Sequence, residues 1–199
     1  MIVDYDTLKA AVGDFLNRGD LAAAIPVWVQ LAEAEINRNL RHWQQEQLAP
    51  LTLTGRYTDL PADWRETVRL EAGGKRMDLL AQPELQIRRS NSEDAAGAPA
   101  FYAFTAGKIE VYPTPDGDYS AEHLYLGDIP ALSDASPTNW LLEKHPDIYL
   151  YGALLHSAPY LVEDARLQVW RGLYAEALIA AQRSSDKARA SGAMKITVR

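Results

Sequence analysis

The hydrophobic period of this chain switches from helical to strand-like and back again, and a sequence with that pattern folds as α, then β, then α. Near the N-terminus Leu8, Val12, Phe15 and Leu16 recur at helical spacing, with Asp6 as the expected cap. Gly19 supplies a stop and Asp20 a new cap. Pro26 suits the first turn of a second, longer helix. In that helix Val29, Ala32, Ile36 and Leu40 share one stripe. Glu33, Glu35, Arg38 and Arg41 fall off it, and the glutamates read as a solvated face. The two segments read as an amphipathic helical hairpin that ends near Trp43, with Trp43 in the core.

The period changes at Pro50, where Leu51 and Leu53 alternate with Thr52 and Thr54. Leu60-Pro61-Ala62-Asp63-Trp64 is a turn-rich corner. Residues 67–71 and 75–80 read as a hairpin about Gly73-Gly74. Residues 83–89 read as a short helix opening on Pro83, and residues 90–99 as an exposed loop. Strands over 101–105, 108–112 and 119–126 follow, divided by Ala106-Gly107 and Pro115-Asp116-Gly117. In the second of them Ile109 and Val111 alternate against Lys108 and Glu110. Connections this short exclude parallel crossovers, so an antiparallel meander is expected.

Helical spacing returns after Ser136-Pro137-Thr138-Asn139-Trp140, a loop and cap. Pro146 opens a helix with Ile148, Tyr151 and Leu155 on one face, and Pro159 breaks it. Glu163 and Asp164 mark the next start, where negative charge suits the helix dipole. Leu167, Trp170, Tyr174, Ala177 and Ala181 then form a coiled-coil-like seam, and Gly192 ends that helix. The fold class expected is α+β. A helical bundle comes from residues 1–49 and 137–199, with an antiparallel β-rich insertion over residues 50–136.

Composition narrows the function. The 199 residues carry a formal net charge of −7 and no Cys. Thiolate metal sites, disulfides and Cys nucleophiles are excluded. An acidic chain does not read as a duplex-DNA binder, which needs clustered Lys and Arg. The N-terminus lacks the basic and apolar regions of a signal peptide, and no apolar run is long enough to span a bilayer. A soluble protein made in a cytoplasm is expected.

No catalytic constellation emerges. His42, His123, His145 and His156 form no pair at metal-binding helical spacing. His145 reads as a helix-entry residue and His123 as a strand-face residue. Gly73-Gly74-Lys75 lacks the Walker spacing, and Asp116-Gly117-Asp118 lacks the further ligands of a calcium loop. Glu163 and Asp164, like Glu33 and Glu35, read as solvated. Neither metal nor cofactor is expected. Arg38 and Arg41, with His42 and Trp43, form the best small basic-aromatic cluster, a candidate contact for a nucleic-acid backbone or an acidic partner.

Aromatic placement is more telling. Trp140, Tyr149, Tyr151, Tyr160, Trp170 and Tyr174 crowd the C-terminal third. Tyr and Trp are enriched at interfaces, and two antiparallel helices bury one face each, whereas these residues fall on more than one. They are candidate interface residues, together with Ile196, Thr197 and Val198 of the strand-prone tail.

Several local motifs resemble one family as a set. They are Leu16-Asn17-Arg18-Gly19-Asp20-Leu21, residues 32–38, Leu60-Pro61-Ala62-Asp63-Trp64, residues 101–113, and Ile129-Pro130-Ala131-Leu132-Ser133. The strongest are Pro137-Thr138-Asn139-Trp140-Leu141-Leu142 and residues 145–154. The chain resembles the adaptor proteins that sit below the portal in tailed bacteriophages. The resemblance implies a structural, non-enzymatic subunit of the virion, made in the host bacterial cytoplasm. It implies a dodecameric ring joined to the portal protein and to a tail or nozzle protein. Genomic DNA would pass through a central channel without specific binding. A nucleic-acid-binding accessory protein and a small-ligand enzyme are the other readings that the residues leave open.

Overall fold

The computed structural model describes residues 1–92, 95–161 and 165–190. The tail candidates Ile196, Thr197 and Val198, the helix start expected at Glu163 and Asp164, and the stop at Gly192 lie outside the described residues. The chain divides into two compact units, one of Met1–Gln44 and Ile129–Arg199 and one of Gln45–Asp128.

In the first unit α1 spans Tyr5–Leu16. Its cap is Asp4, not Asp6. The Asp4 carboxylate accepts from the Thr7 backbone N–H at 2.8 Å, and Thr7 Oγ1 accepts from the Asp4 N–H at 3.0 Å. This reciprocal box satisfies two orphan donors. Asp6 sits inside the first turn, where its charge still suits the dipole. The helix stops at Asn17, which adopts a left-handed conformation, ahead of the expected Gly19. Asp20 caps no α-helix; it lies in the first turn of a short 3-10 helix over Gly19–Ala24 and pairs with Arg18 at 2.6 Å.

Helix α2 spans Ile25–Asn39 with Pro26 in its first turn, as the sequence predicts. Its inward face is Trp28, Val29, Ala32 and Ile36. Helix α4 spans Trp140–Lys144, α5 Pro146–His156 and α6 Arg166–Ala190. The predicted seam of α6 is buried at Trp170, Tyr174, Ala177 and Ala181. It packs on α5, which also packs on α1 and α2. Because three helices surround it, α5 is apolar on every side: Ile148, Tyr149, Leu150, Ala153 and Leu154 are all buried. Of the one face expected for this helix, Ile148 is buried and Tyr151 and Leu155 are half-buried.

The second unit holds β1 (Glu46–Leu53), β2 (Tyr57–Asp59), β3 (Trp64–Ala72), β4 (Lys75–Arg76), β5 (Asp78–Leu79), α3 (Gln82–Asn91), β6 (Phe101–Thr105), β7 (Lys108–Tyr112) and β8 (Tyr119–Gly127). These are not one meander. They form two four-stranded sheets, ordered β1-β8-β3-β4 and β2-β7-β6-β5. The expected strand over residues 75–80 splits at buried Met77. Its first half pairs with β3 and its second half with β6. The β5–β6 pair is parallel, because α3 supplies the crossover between them. The other pairs are antiparallel, and the Gly73-Gly74 and Ala106-Gly107 turns carry the positive φ that two-residue hairpins need. Pro50 lies within β1, an edge strand, where a missing N–H costs little.

Leu53, Leu70, Met77, Tyr102, Ile109 and Val111 form the main core of this unit. Helix α3 adds a second small core around Leu85, Ala103 and Tyr112. Strand β7 is therefore covered on both faces. That overturns the alternation expected for it, since Glu110 is fully buried beside Ile109 and Val111.

Candidate functional site

The polar side chains of the helical unit converge on the irregular connection of residues 129–139. Glu33, expected on a solvated face, is buried on α2 and accepts from the Leu132 N–H at 2.7 Å. One turn further on, Asn37 accepts from the Ile129 N–H at 3.0 Å. From α1 the Tyr5 N–H donates to the Pro137 carbonyl at 2.8 Å, and Lys9 bridges Asp6 and Asp134 at 2.8 and 3.1 Å.

Asn139 closes the connection. Its amide nitrogen donates to the Pro130 carbonyl and to the Tyr149 hydroxyl, both at 2.7 Å. Its oxygen caps α4 by accepting from the Leu141 and Leu142 N–H groups at 3.1 and 2.9 Å. The Tyr149 hydroxyl also interacts electrostatically with Glu33. Burial pushes the Glu33 carboxyl above its ordinary range, opposed in part by the Leu132 hydrogen bond and by Tyr149. The same burial raises the Tyr149 phenol. Backbone groups in a coil segment need partners once buried, and here Glu33 and Asn37 of α2, the Tyr5 N–H of α1 and Asn139 itself supply them. Glu33 and Asn139 are thereby engaged in holding the chain path.

Among the aromatic candidates, Tyr149, Trp170 and Tyr174 belong to the core of this unit. The Tyr174 hydroxyl is buried and makes no hydrogen bond among the described residues. Trp140 and Tyr151 are half-buried, and Tyr160 is exposed with its ring edge-on to Trp28 at 5.3 Å. Arg38 and Arg41 are both exposed.

The neighbours of Arg41 exchange their expected places: Trp43 is exposed and His42 is buried. His42 stacks on Trp140 at 4.8 Å, its Nδ1 accepts from the Gln44 N–H at 3.2 Å, and its Nε2 lies 3.4 Å from Ser184 Oγ. Burial first, then the charges of His145, Lys144 and Arg189, push its imidazole down to about 4. His123, placed on a strand face by the sequence, points inward and meets Thr67 Oγ1 at 2.8 Å.

The β-rich unit holds a buried ionic hub that periodicity did not find. Glu110 Oε1 accepts from Arg56 Nε at 2.9 Å and from Gln86 Nε2 at 2.8 Å, and its Oε2 accepts from Thr105 at 2.9 Å. Arg89, on α3, lies 3.5 Å away and donates to the Val111 carbonyl and to Thr114. Burial alone would raise the Glu110 carboxyl, but the bonds from Arg56, Thr105 and Gln86, with the Arg56 charge, hold it below its ordinary range. A signal was present in sequence only as Arg56, Gln86 and Arg89, too far apart along the chain to be joined.

Among the described residues no group of three or more His, Cys, Asp or Glu is placed to hold a metal ion. No helix among them is long and apolar enough to cross a membrane.

The chain is an α+β protein of two units in which buried polar groups fix connections between elements. The chain belongs to the SU10 adaptor protein family, a family of phage head–tail adaptors, whose model matches residues 3–196 and so covers both units. The family consists of structural phage proteins that are virion components. No curated protein matches the chain. The motifs that carried the resemblance have a structural account: residues 129–133 and 137–142 contain the Leu132 N–H, the Pro130 carbonyl and Asn139.

Proposed function

We propose that the chain is a head–tail adaptor subunit that binds the phage portal protein on one side and a tail or nozzle protein on the other. It acts in many copies, as a dodecameric ring with a central channel for the genome. The observation that carries this reading is the family match over residues 3–196. The helical unit acts as a bundle next to the portal, and the β-rich unit faces the tail. The net charge of −7 supports passage of DNA without specific binding, because a negative surface repels phosphates. The subunit is made in the host cytoplasm and reaches the virion by assembly.

The candidate contacts are the exposed or half-buried aromatics Trp140, Tyr151 and Tyr160 and the tail residues Ile196, Thr197 and Val198. The tail adds as a strand to a portal or neighbouring sheet, a mode in which backbone hydrogen bonds supply affinity. Co-expression with the portal protein of the same phage tests the reading. A large complex containing both is expected, and absence of copurification rejects it. Deleting residues 194–199 abolishes portal binding without unfolding the protein, and unchanged binding rejects the role of the tail.

A further inference from the structure

The chain leaves α2 through residues 41–44, and this exit segment is fastened to the C-terminal turns of α6. Trp43 donates its N–H to Ser185 Oγ at 2.9 Å. His42 makes the second fastening, 2% exposed between Trp140 of α4 and Ser184 of α6. Its hydrogen bonds set its protonation state. Nδ1 accepts from the Gln44 N–H at 3.2 Å, and a backbone N–H only donates, so Nδ1 carries no proton. The ring proton therefore sits on Nε2, 3.4 Å from Ser184 Oγ. The Ser184 hydroxyl donates onward to the Ala181 carbonyl at 2.8 Å. Donors and acceptors run in one direction from Gln44 to Ala181, and a neutral imidazole fits that run.

A second proton on this ring lands on Nδ1, where it meets the Gln44 N–H and breaks that bond. It also meets positive charge. His145 lies edge-on to the ring at 6.2 Å. Lys144 donates to Gln44 Oε1 at 3.2 Å, and it acts on His42 together with His145 and with Arg189 of α6. All three oppose a second proton on the ring. The same elements also carry Glu143 on α4, Asp147 on α5, and Asp186 and Lys187 on α6, while Arg41 and Glu46 flank the segment along the chain. Of the carboxylates, Asp147 acts on His145, and Asp186 accepts from Gln182 at 3.3 Å.

We infer that residues 42–44 are an acid-released clip: a proton taken up at His42 Nδ1 expels the Gln44 N–H and frees the exit segment from α6. The chain passes into the β-rich unit directly after Gln44, so release loosens the start of that connection. The clip follows from hydrogen-bond direction and is independent of the adaptor reading.

Amide exchange, read residue by residue by NMR on the full-length chain, tests the clip. The reporters are the Trp43 and Gln44 N–H groups, which the clip holds, and the N–H groups of Leu150, Ala153 and Leu154 in buried α5 are the reference. The released ring takes up its proton near 6.5 and the clipped ring at about 4, so going from pH 7 to pH 4.5 favours opening by roughly 50-fold. After correction for intrinsic rates, Trp43 and Gln44 are expected to be less protected than α5 throughout and to lose protection by that factor. In His42→Gln their protection, whether high or low, loses most of this pH dependence. Protection in the wild type that stays flat overturns the inference. So does protection equal to that of α5 at both pH values, which means that the segment opens only with the whole unit. A fall as large in His42→Gln also overturns it. The first two results are read on the wild type and need no variant to fold.

Discussion

Gly152 of α5 faces Ala32 of α2 so closely that a Cβ on the glycine would lie 3.1 Å from the Ala32 Cβ and 3.2 Å from the Tyr174 ring. The pair sets how near α2 and α6 come to the central helix. Alanine is favoured over glycine in a helix by about 1 kcal/mol, but overpacking a filled core costs about 1–3 kcal/mol. The Ala32 methyl cannot rotate away, so packing wins. Gly152→Ala is expected to destabilise by about 1 kcal/mol and Gly152→Val by about 3 kcal/mol. Urea denaturation measures both. In the Gly152→Ala background, Ala32→Gly should cost less than it does alone, and additive costs would refute the contact.

Asn139 satisfies four groups at once. Removing an N-cap costs about 1 kcal/mol, and stranding buried partners about 1–3 kcal/mol more. Asn139→Ala is therefore expected to lose about 3 kcal/mol. Tyr149→Phe removes one hydroxyl and should lose about 1–2 kcal/mol. Guanidinium denaturation gives both values. A loss below 1 kcal/mol for Asn139→Ala would show that the connection of residues 129–139 does not depend on it.

Helix faces were legible in the sequence because burial there follows a period that neighbouring residues report. Leu8, Val12, Ile36, Trp170 and Ala181 all fall inside as their spacing requires. The α-then-β-then-α order was legible for the same reason. Glu33 was not, because the group that draws it inside is the Leu132 N–H, 99 residues away. Glu110 was misplaced because period-2 alternation assumes one wet face, and α3 covers the other. The pairing of β8 between β1 and β3 followed from neither turns nor alternation: its partners lie far back in the chain. His42 and Trp43 exchanged places because the chain leaves α2 at Leu40, and helical phase carries no information beyond that residue.

Among the described residues, the two buried carboxylates respond to pH in opposite directions. Glu110 titrates below its ordinary value, so its contribution is present at neutral pH and is lost as pH falls below about 4.5 through its folded value. Glu33 titrates above its ordinary value, so its ionisation weakens the fold as pH rises from about 4.5 through its folded value. Glu110→Gln should therefore destabilise at pH 7 and progressively less in acid. Glu33→Gln should fare better against wild type at pH 7 than at pH 4. Melting temperatures of the three proteins over pH 3–8 check both signs, and parallel curves for wild type and both variants would refute the assignment.

His42 titrates as well. Its imidazole sits against Trp140 among positive groups, with Lys144 and His145 on one side and Arg189 on α6, and it titrates at about 4 rather than 6.5. The unfolded chain takes up this proton first, so stability falls as pH drops from about 6.5 to about 4 and the dependence ends there. That range lies mostly above the one in which Glu110 acts and overlaps the one in which Glu33 acts. His42→Gln keeps a side chain that can bond Ser184 while removing the titration. Its melting temperature should be lower than wild type at pH 7, and the difference should shrink towards pH 4. Proton NMR of the His42 ring should show a midpoint near 4. A midpoint at 6 or above would mean that the ring is hydrated, which its packing between Trp140 and Ser184 does not allow.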